Sequence, residues 1–183
     1  DDAPATVVIF SAFGNATAGL FQDAPKKLVD KYGKKVRIVF KHKVIPEQHP
    51  DSLNASIAAL AAKEQGKFWE YHDLLFKSGR LDPAALKEHA TSLGLDMTKF
   101  QKDRDNPKLR GQALTDALLA NEVGAHSMPN VLVNGVRMKG AKEWANLEAL
   151  VAAQLPKAEA AIKGGAPAKT YYAKAVAGGK SFP

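Results

Sequence analysis

The stretch "VVIFSAFGNATAGLFQ", Val7 to Gln22, constrains the fold more than any other part of this sequence. Its first half belongs to an apolar, β-branched run over Thr6 to Ala12, the pattern of a central strand buried on both faces. Its second half reads as the opening of a helix, with Asn15 as N-cap. A strand that feeds a helix through a short turn is an α/β device, and many α/β proteins keep their chemistry there. Here the turn offers only Gly14, Asn15, Ala16, Thr17, Ala18 and Gly19, and no obvious catalyst.

The helix is expected over about Ala16 to Tyr32, with Pro25 as a kink or break and Gly33 as its end. "KKVRIVFKH" predicts a second strand in which Val36, Ile38 and Phe40 alternate against charged neighbours. "IPEQHP" is a Pro-bounded connection. From Asp51 to about Val123 the pattern is helical. "NASIAALAAKEQG" is stopped by Gly66, and "KFWEYHDLLFK" sets Phe68, Trp69, His72, Leu75 and Phe76 at helical spacing. "DPAALKEHATSLG" opens with a cap and Pro83 in its first turn. "PNVLVNGVRMKG" returns to strand character around a two-residue Asn134-Gly135 hairpin turn. "AKEWANLEALVAAQL" is a closing helix with Trp144, Leu147, Leu150 and Val151 on one face. After Pro156, Gly and Pro punctuation predicts a linker with short helical pieces, from which Tyr171 and Tyr172 can pack back. The order strand, helix, strand, helical block, hairpin, helix predicts an α/β chain. It has a thioredoxin-type layer at 1–155, a helical insertion at about 51–123 and a tail at 156–183.

Composition narrows the function. The chain has 183 residues, 45% of them apolar and 25% charged, as in a soluble globular protein. No apolar run approaches a membrane span. The net charge of +7 comes mostly from lysines scattered among acids, without an aromatic-basic module, which argues against nucleic acid and for a solvated basic surface. With no cysteine, the chain holds no disulfide, thiolate nucleophile, zinc–thiolate site or iron–sulfur cluster. The opening "DDAPAT" lacks a methionine and is read as that of a mature form or an excised domain. The tail "KTYYAKAVAGGKSFP" mildly favours a continuing polypeptide.

"VVIFSAF", "KVRIVFKHKVIPEQHP", "AALAAKEQGKFWEYHDLLF" and "MPNVLVNG" together resemble the DsbA-like thiol-disulfide oxidoreductases of the thioredoxin superfamily. The resemblance covers about Thr6 to Gln154, and "EQGKFWEYHDLLF" is its most specific piece. It implies a cis-proline at Pro129. It also implies a Cys-x-x-Cys at the helix start, where the helix terminus lowers the first thiol's pKa. Aligned on Phe10, Ser11 and Phe13, Asn15 stands at the first cysteine and Ala18 at the second, so the motif reads Asn-Ala-Thr-Ala. Ile9 stands where many relatives carry an acid in the strand, Ala12 where an aspartate is common, and Met128 where the residue before the cis-proline is often Thr. These losses fit together, because an acid beneath the site costs stability when no thiol needs it.

What survives is a binding surface. The resemblance implies that an extended peptide lies beside the cis-proline loop by strand addition, which needs only backbone groups and shape. Gly14, Asn15, Ala16, Thr17 and Ala18, with Met128 and Pro129, are then the candidate peptide-binding residues. Met128 either lines that groove or packs inward. The free N–H groups of Asn15 to Ala18 are also a candidate seat for an anion. Thr17 and Ser127 are hydroxyl candidates with His126 as base, but no third, orienting residue is spaced for them. "NAT" at Asn15 matches a glycosylation acceptor by three residues only. The histidines show no metal-ligand spacing, so no metal or cofactor is expected. Three readings compete: a redox-inactive module holding extended peptide or a partner protein, a structural or pairing unit of a larger thioredoxin-like oxidoreductase, and a non-thiol enzyme. The first is favoured, with a periplasmic or other extracytoplasmic location implied by the resemblance alone.

Overall fold

The computed structural model describes residues 2–140 and 143–177. Strand β1 (Ala5–Ser11) is buried along its whole length. It lies between β2 (Val36–His42), parallel to it, and β3 (Asn130–Val133), antiparallel to it. β4 (Val136–Arg137) pairs with β3, giving a sheet in the order β2-β1-β3-β4. The hairpin turn uses Asn134 at φ 48° and Gly135 at φ 83°, the left-handed pair that suits a two-residue connection. Asn134 also ties the hairpin to the start of β1. Its Oδ1 accepts from the Thr6 N–H at 2.8 Å and its Nδ2 donates to the Pro4 carbonyl at 3.1 Å.

The two faces of the sheet are covered by different helices. Val7 and Ile9 pack with α2 (Ala24–Tyr32) and α8 (Trp144–Lys163), around Leu28, Val131, Leu147 and Val151. Val8 and Phe10 point the other way, toward Ala120 of α7 (Pro107–Glu122) and Tyr172 of α9 (Ala168–Val176).

Between β2 and β3 stands the helical block: α3 (Ser52–Lys63), α4 (Phe68–Ser78), α5 (Pro83–Ser92), α6 (Met97–Arg104) and α7. Alanines 55, 58, 59, 61 and 62 of α3 are all buried, so its neighbours approach closely around a core of Leu60, Tyr71, Leu75, Leu86 and Phe100. Asp82, Asp96 and Asn106 cap α5, α6 and α7 by accepting backbone N–H bonds.

An aromatic cluster joins block to sheet. Phe13, just past β1, stacks on Phe40 of β2 with ring centres 5.5 Å apart, and meets Phe76 at 5.1 Å and His72 at 5.9 Å. Phe68 and His42 close the group at 6.1 Å. The motif "KFWEYHDLLF" therefore docks the block onto the sheet.

The expected break in the first helix falls a few residues before Pro25, and the end of the closing helix is corrected. The helix after β1 is broken: α1 (Ala16–Gly19) is followed by a turn, and α2 starts at Ala24 with Pro25 in its first turn, where a missing N–H costs least. The closing helix does not stop at Pro156. α8 runs on to Lys163, because Leu155 and Ala158 remain buried while the exposed Pro156 turns its ring to solvent. Residues 164–167 then turn the chain into α9, a short helical piece of the kind expected there. Tyr172 packs onto the sheet; the rest of the expected tail, 178–183, lies outside the described residues.

His42 is wholly enclosed, and its Nδ1 has no hydrogen-bond partner. Burial, reinforced by His72, Lys41 and Lys63, pushes its imidazole down to about 3. The fold thus holds it neutral, while the unfolded chain takes up a proton near pH 6.5. Stability is intact above that pH and is lost as pH falls toward 3, at about 1.4 kcal/mol per pH unit from this group. Urea denaturation between about pH 7 and pH 4 should show the decline, and a His42→Gln variant should show a shallower one. Equal slopes would contradict this assignment.

Candidate functional site

Ala12 and Phe13 are buried, so the chain must reverse sharply to leave the core. It does so at Gly14, with φ at 87°. That φ favours glycine, and a Cβ there would also press on Leu81 Cδ1 at 3.1 Å. Asn15 follows in an extended conformation as the N-cap of α1, with its Oδ1 accepting from the Ala18 N–H at 2.9 Å. Its Nδ2 donates to His49 Nε2 at 3.3 Å. An amide nitrogen can only donate, so His49 accepts at Nε2 and carries its proton on Nδ1. His49 comes from the segment between β2 and α3. Sequence reasoning placed it in a loop and saw no partner for it, because thirty-four residues separate the pair.

The expected anion seat at Asn15–Ala18 is not sustained. α1 is four residues long, so little macrodipole accumulates, and the cap already takes one of its few free N–H groups.

Ala18 is buried and faces a crevice of about 10 Å³ shared with Ile9, Ser11, Phe40, His72 and Pro129. This volume holds about one water and no ligand. The crevice brings together the second degenerate position, the strand position aligned with an acid, and the proline. Gly14, Ala16 and Thr17 are exposed above it, and Asn15 is half-buried. The Met128–Pro129 peptide is cis, with Pro129 buried and Met128 half-buried.

The loop before Pro129 is braced from several sides. The buried Lys43 donates through Nζ to the Ala125 carbonyl, while its backbone N–H bonds the Ser11 carbonyl at 2.8 Å. Burial lowers the Lys43 pKa from its ordinary value. Arg137 donates to Asn130 Oδ1 and to the Val123 carbonyl, and Asn130 Nδ2 donates to Ser127 Oγ at 3.2 Å. Ser127 and His126 are both exposed. Among the described residues, neither is hydrogen-bonded to the other or to Thr17, so no hydroxyl here has a base in place.

The surface beside the turn holds features that sequence reasoning missed. Leu20 is 88% exposed, an unusual placement for a large aliphatic side chain. It lines an open cavity of about 450 Å³ with Thr17, Phe21, Lys27, Glu143 and Trp144. The adjacency of Leu20 and Phe21 after Gly19 was the available signal, but a continuous helix would have buried one and turned the other along its side. Among the described residues, no group of three or more His, Cys, Asp or Glu is placed to hold a metal ion. None of their helices is long and apolar enough to cross a membrane.

A family described as Thioredoxin matches residues 1–153. The Na(+)/H(+) antiporter NhaA 3 of Salinispora tropica is 36% identical over 153 residues, 83% of this chain and 23% of that protein. The chain therefore spans about a quarter of the length of this curated relative. A thioredoxin-like oxidoreductase from Silicibacter pomeroyi has a similar structure, with TM-score 0.74 and 27% identity over 83% of this chain and 87% of that one. Alpha-DsbA1 from Wolbachia pipientis shares the fold, with TM-score 0.75 and 19% identity over 87% and 90% of the two chains.

Replacing Asn15 with Ala should cost about 1 kcal/mol through the lost cap, and Asn15→Ser should recover most of it. Gly14→Ala should cost more than either, since it meets both strain and Leu81. Urea midpoints compared at constant m-value would check the ranking.

Proposed function

We propose that this chain, which belongs to the thioredoxin family and has its DsbA-like form, is a redox-inactive module that holds extended peptide or a partner protein beside the Met128–Pro129 loop. Thiol–disulfide exchange requires a thiolate that attacks sulfur. The chain has no cysteine, and Asn15 and Ala18 offer an amide and a methyl group in place of the two thiols. The observation that carries the reading is the contrast between a lost reagent and a retained frame. Ala18 and Pro129 still line one crevice, Lys43 still braces the loop, and Leu20 stands exposed beside them.

Strand addition needs backbone donors and acceptors at the loop and apolar surface nearby for alternate side chains. Met128 is half-buried, and in this reading its thioether lines the groove. Gly14, Asn15, Ala16 and Thr17 supply the opposite wall, with Asn15 held by His49 and therefore in one rotamer. The cavity bounded by Leu20 and Trp144 would take a bulky side chain of the partner. An extracytoplasmic location follows from the family resemblance.

A second reading is favoured by the length of the relatives. A chain matching a quarter of an NhaA antiporter fits a domain that serves as one unit of a larger polypeptide. In that case the groove would hold a segment of the same protein or of its membrane portion. A membrane-spanning region or a Cys-x-x-Cys domain encoded on the same polypeptide would favour this reading. Neither would leave the free-standing module.

Insulin reduction by dithiothreitol in the presence of this protein should proceed at the rate seen in buffer. Catalysis above that rate would overturn the redox-inactive reading. Carboxamidomethylated insulin B chain, followed by fluorescence anisotropy at moderate salt, should bind the protein. Met128→Asp should weaken that binding at least tenfold without changing the urea midpoint by more than about 1 kcal/mol in stability. Undiminished binding would place the peptide elsewhere.

A further inference from the structure

A second cavity, of about 710 Å³, lies on the sheet face away from α2 and α8. The strand register builds its floor. Arg37, Val39 and Lys41 of β2 stand opposite Thr6, Val8 and Phe10 of β1, and Leu132 of β3 stands opposite Val8 on the other side. From sequence, β2 is a strand in which Val36, Ile38 and Phe40 alternate against charged neighbours. In the fold the face carrying those neighbours is partly covered, with Leu119 of α7 and Val123 just past its end on one side and Tyr172 and Val176 of α9 as the roof. Val176 Cγ1 comes within 2.9 Å of the position a Cβ would take on Gly135, so α9 is pressed onto the hairpin turn.

The lining is mostly aliphatic and aromatic, with three cations, Arg37, Lys41 and Arg137, against one acid, Glu122. Lys41 is bound by the buried Asp116 carboxylate at 2.6 Å. Arg137 is engaged with Asn130 and the Val123 carbonyl. Arg37 is placed differently. Its Nη2 donates to Thr6 Oγ1 at 2.7 Å, and its guanidinium carbon lies 5.7 Å from the centre of the Tyr172 ring. Its Nε is buried with no partner, and among the described residues no carboxylate pairs with it. A half-buried guanidinium with no carboxylate partner is poorly solvated, and an anion brought to the part of it that lines the cavity gains a charge-assisted hydrogen bond.

We propose that this cavity is a binding site for a monoanionic amphiphile, with its carboxylate on Arg37 and its aliphatic body over Val8, Phe10, Val39 and Leu132 beneath α9. The volume is that of an ordinary small-molecule site. From Arg37 to Lys41 the strand covers about 13 Å, which suits an extended acyl chain of medium length. Arg37 supplies charge selection, while the floor selects against polar bodies. The site is separate from the turn at Asn15 and stands or falls independently of the peptide-binding reading.

Fluorescence titration with dansyl-undecanoate, competed by laurate below its micelle concentration, tests the site on the whole chain. Laurate should displace the probe. Dodecanol should do so at least tenfold less well, and dodecyltrimethylammonium should not. Arg37→Gln should weaken laurate at least tenfold and bring it level with dodecanol. Tyr172→Ala, in the roof and outside the main core, should weaken laurate and dodecanol alike. Thermal melts would verify that both variants fold. Failure of laurate to compete, equal competition by the cationic amphiphile, or unchanged binding by Arg37→Gln would each overturn the proposal. Sedimentation with phosphatidylglycerol vesicles without competition by free laurate would also overturn it, and would assign the effect to attraction of the basic surface.

Discussion

The packing of Phe13 is the interaction on which the other features depend. Its ring is completely enclosed between β2 and α4, stacked on Phe40 and met at its edges by His72 and Phe76. A side chain so fixed immediately after a central strand decides where the backbone must go next. The chain has to emerge at Gly14, and only a residue tolerant of a left-handed φ can make that exit beside Leu81. Asn15 then falls within reach of both the Ala18 N–H and His49. The same aromatic contact fastens the helical block to the sheet, so fold and site share one anchor. His42, buried beside that anchor without a partner for Nδ1, shows how apolar the surroundings are.

The crevice at the position aligned with the second thiol is mostly apolar, with Ile9, Ala18, Phe40 and Pro129 beside Ser11, Gln22 and His72. Ile9 and Ala18 share a crevice too small for a ligand, and no carboxylate lines it. A buried acid under an alanine would have no charge partner and no proton to move, so an aliphatic side chain is the stable occupant. The polar groups near the turn are bonded to one another: Asn15 to the backbone and to His49, Ser127 to Asn130. Bonds of this kind hold the turn in shape without a thiol.

Much of the layer was legible in the residues. The run at Val7 to Phe10, the Asn134-Gly135 turn and the cap at Asn15 each combine a local preference with a pattern, and local preference and tertiary need agree there. The break in the helix over Ala16 to Tyr32 was expected at Pro25, but it falls earlier, at residues 20–23, and Pro25 sits in the first turn of α2 where it breaks nothing. The extension of α8 through Pro156 has its cause in packing. Burial of Leu155 and Ala158 outweighs a lost N–H, and burial is a property of the assembled fold. The alternation in β2 identified the strand, but not the helix far along the chain whose Tyr172 packs over Arg37. His49 was invisible for the same reason: its partner is thirty-four residues away.

The family match ends at residue 153, before Pro156, whereas the roof formed by Tyr172 and Val176 comes afterwards. The shared body of the fold thus supplies the floor of the second cavity and an appended helix supplies its ceiling. Substitutions in that appendix can reshape one chamber without disturbing Phe13, the Asn15 turn or the proline loop. Evolution is thereby free to retune what this chain encloses on one side while leaving what it presents on the other side untouched.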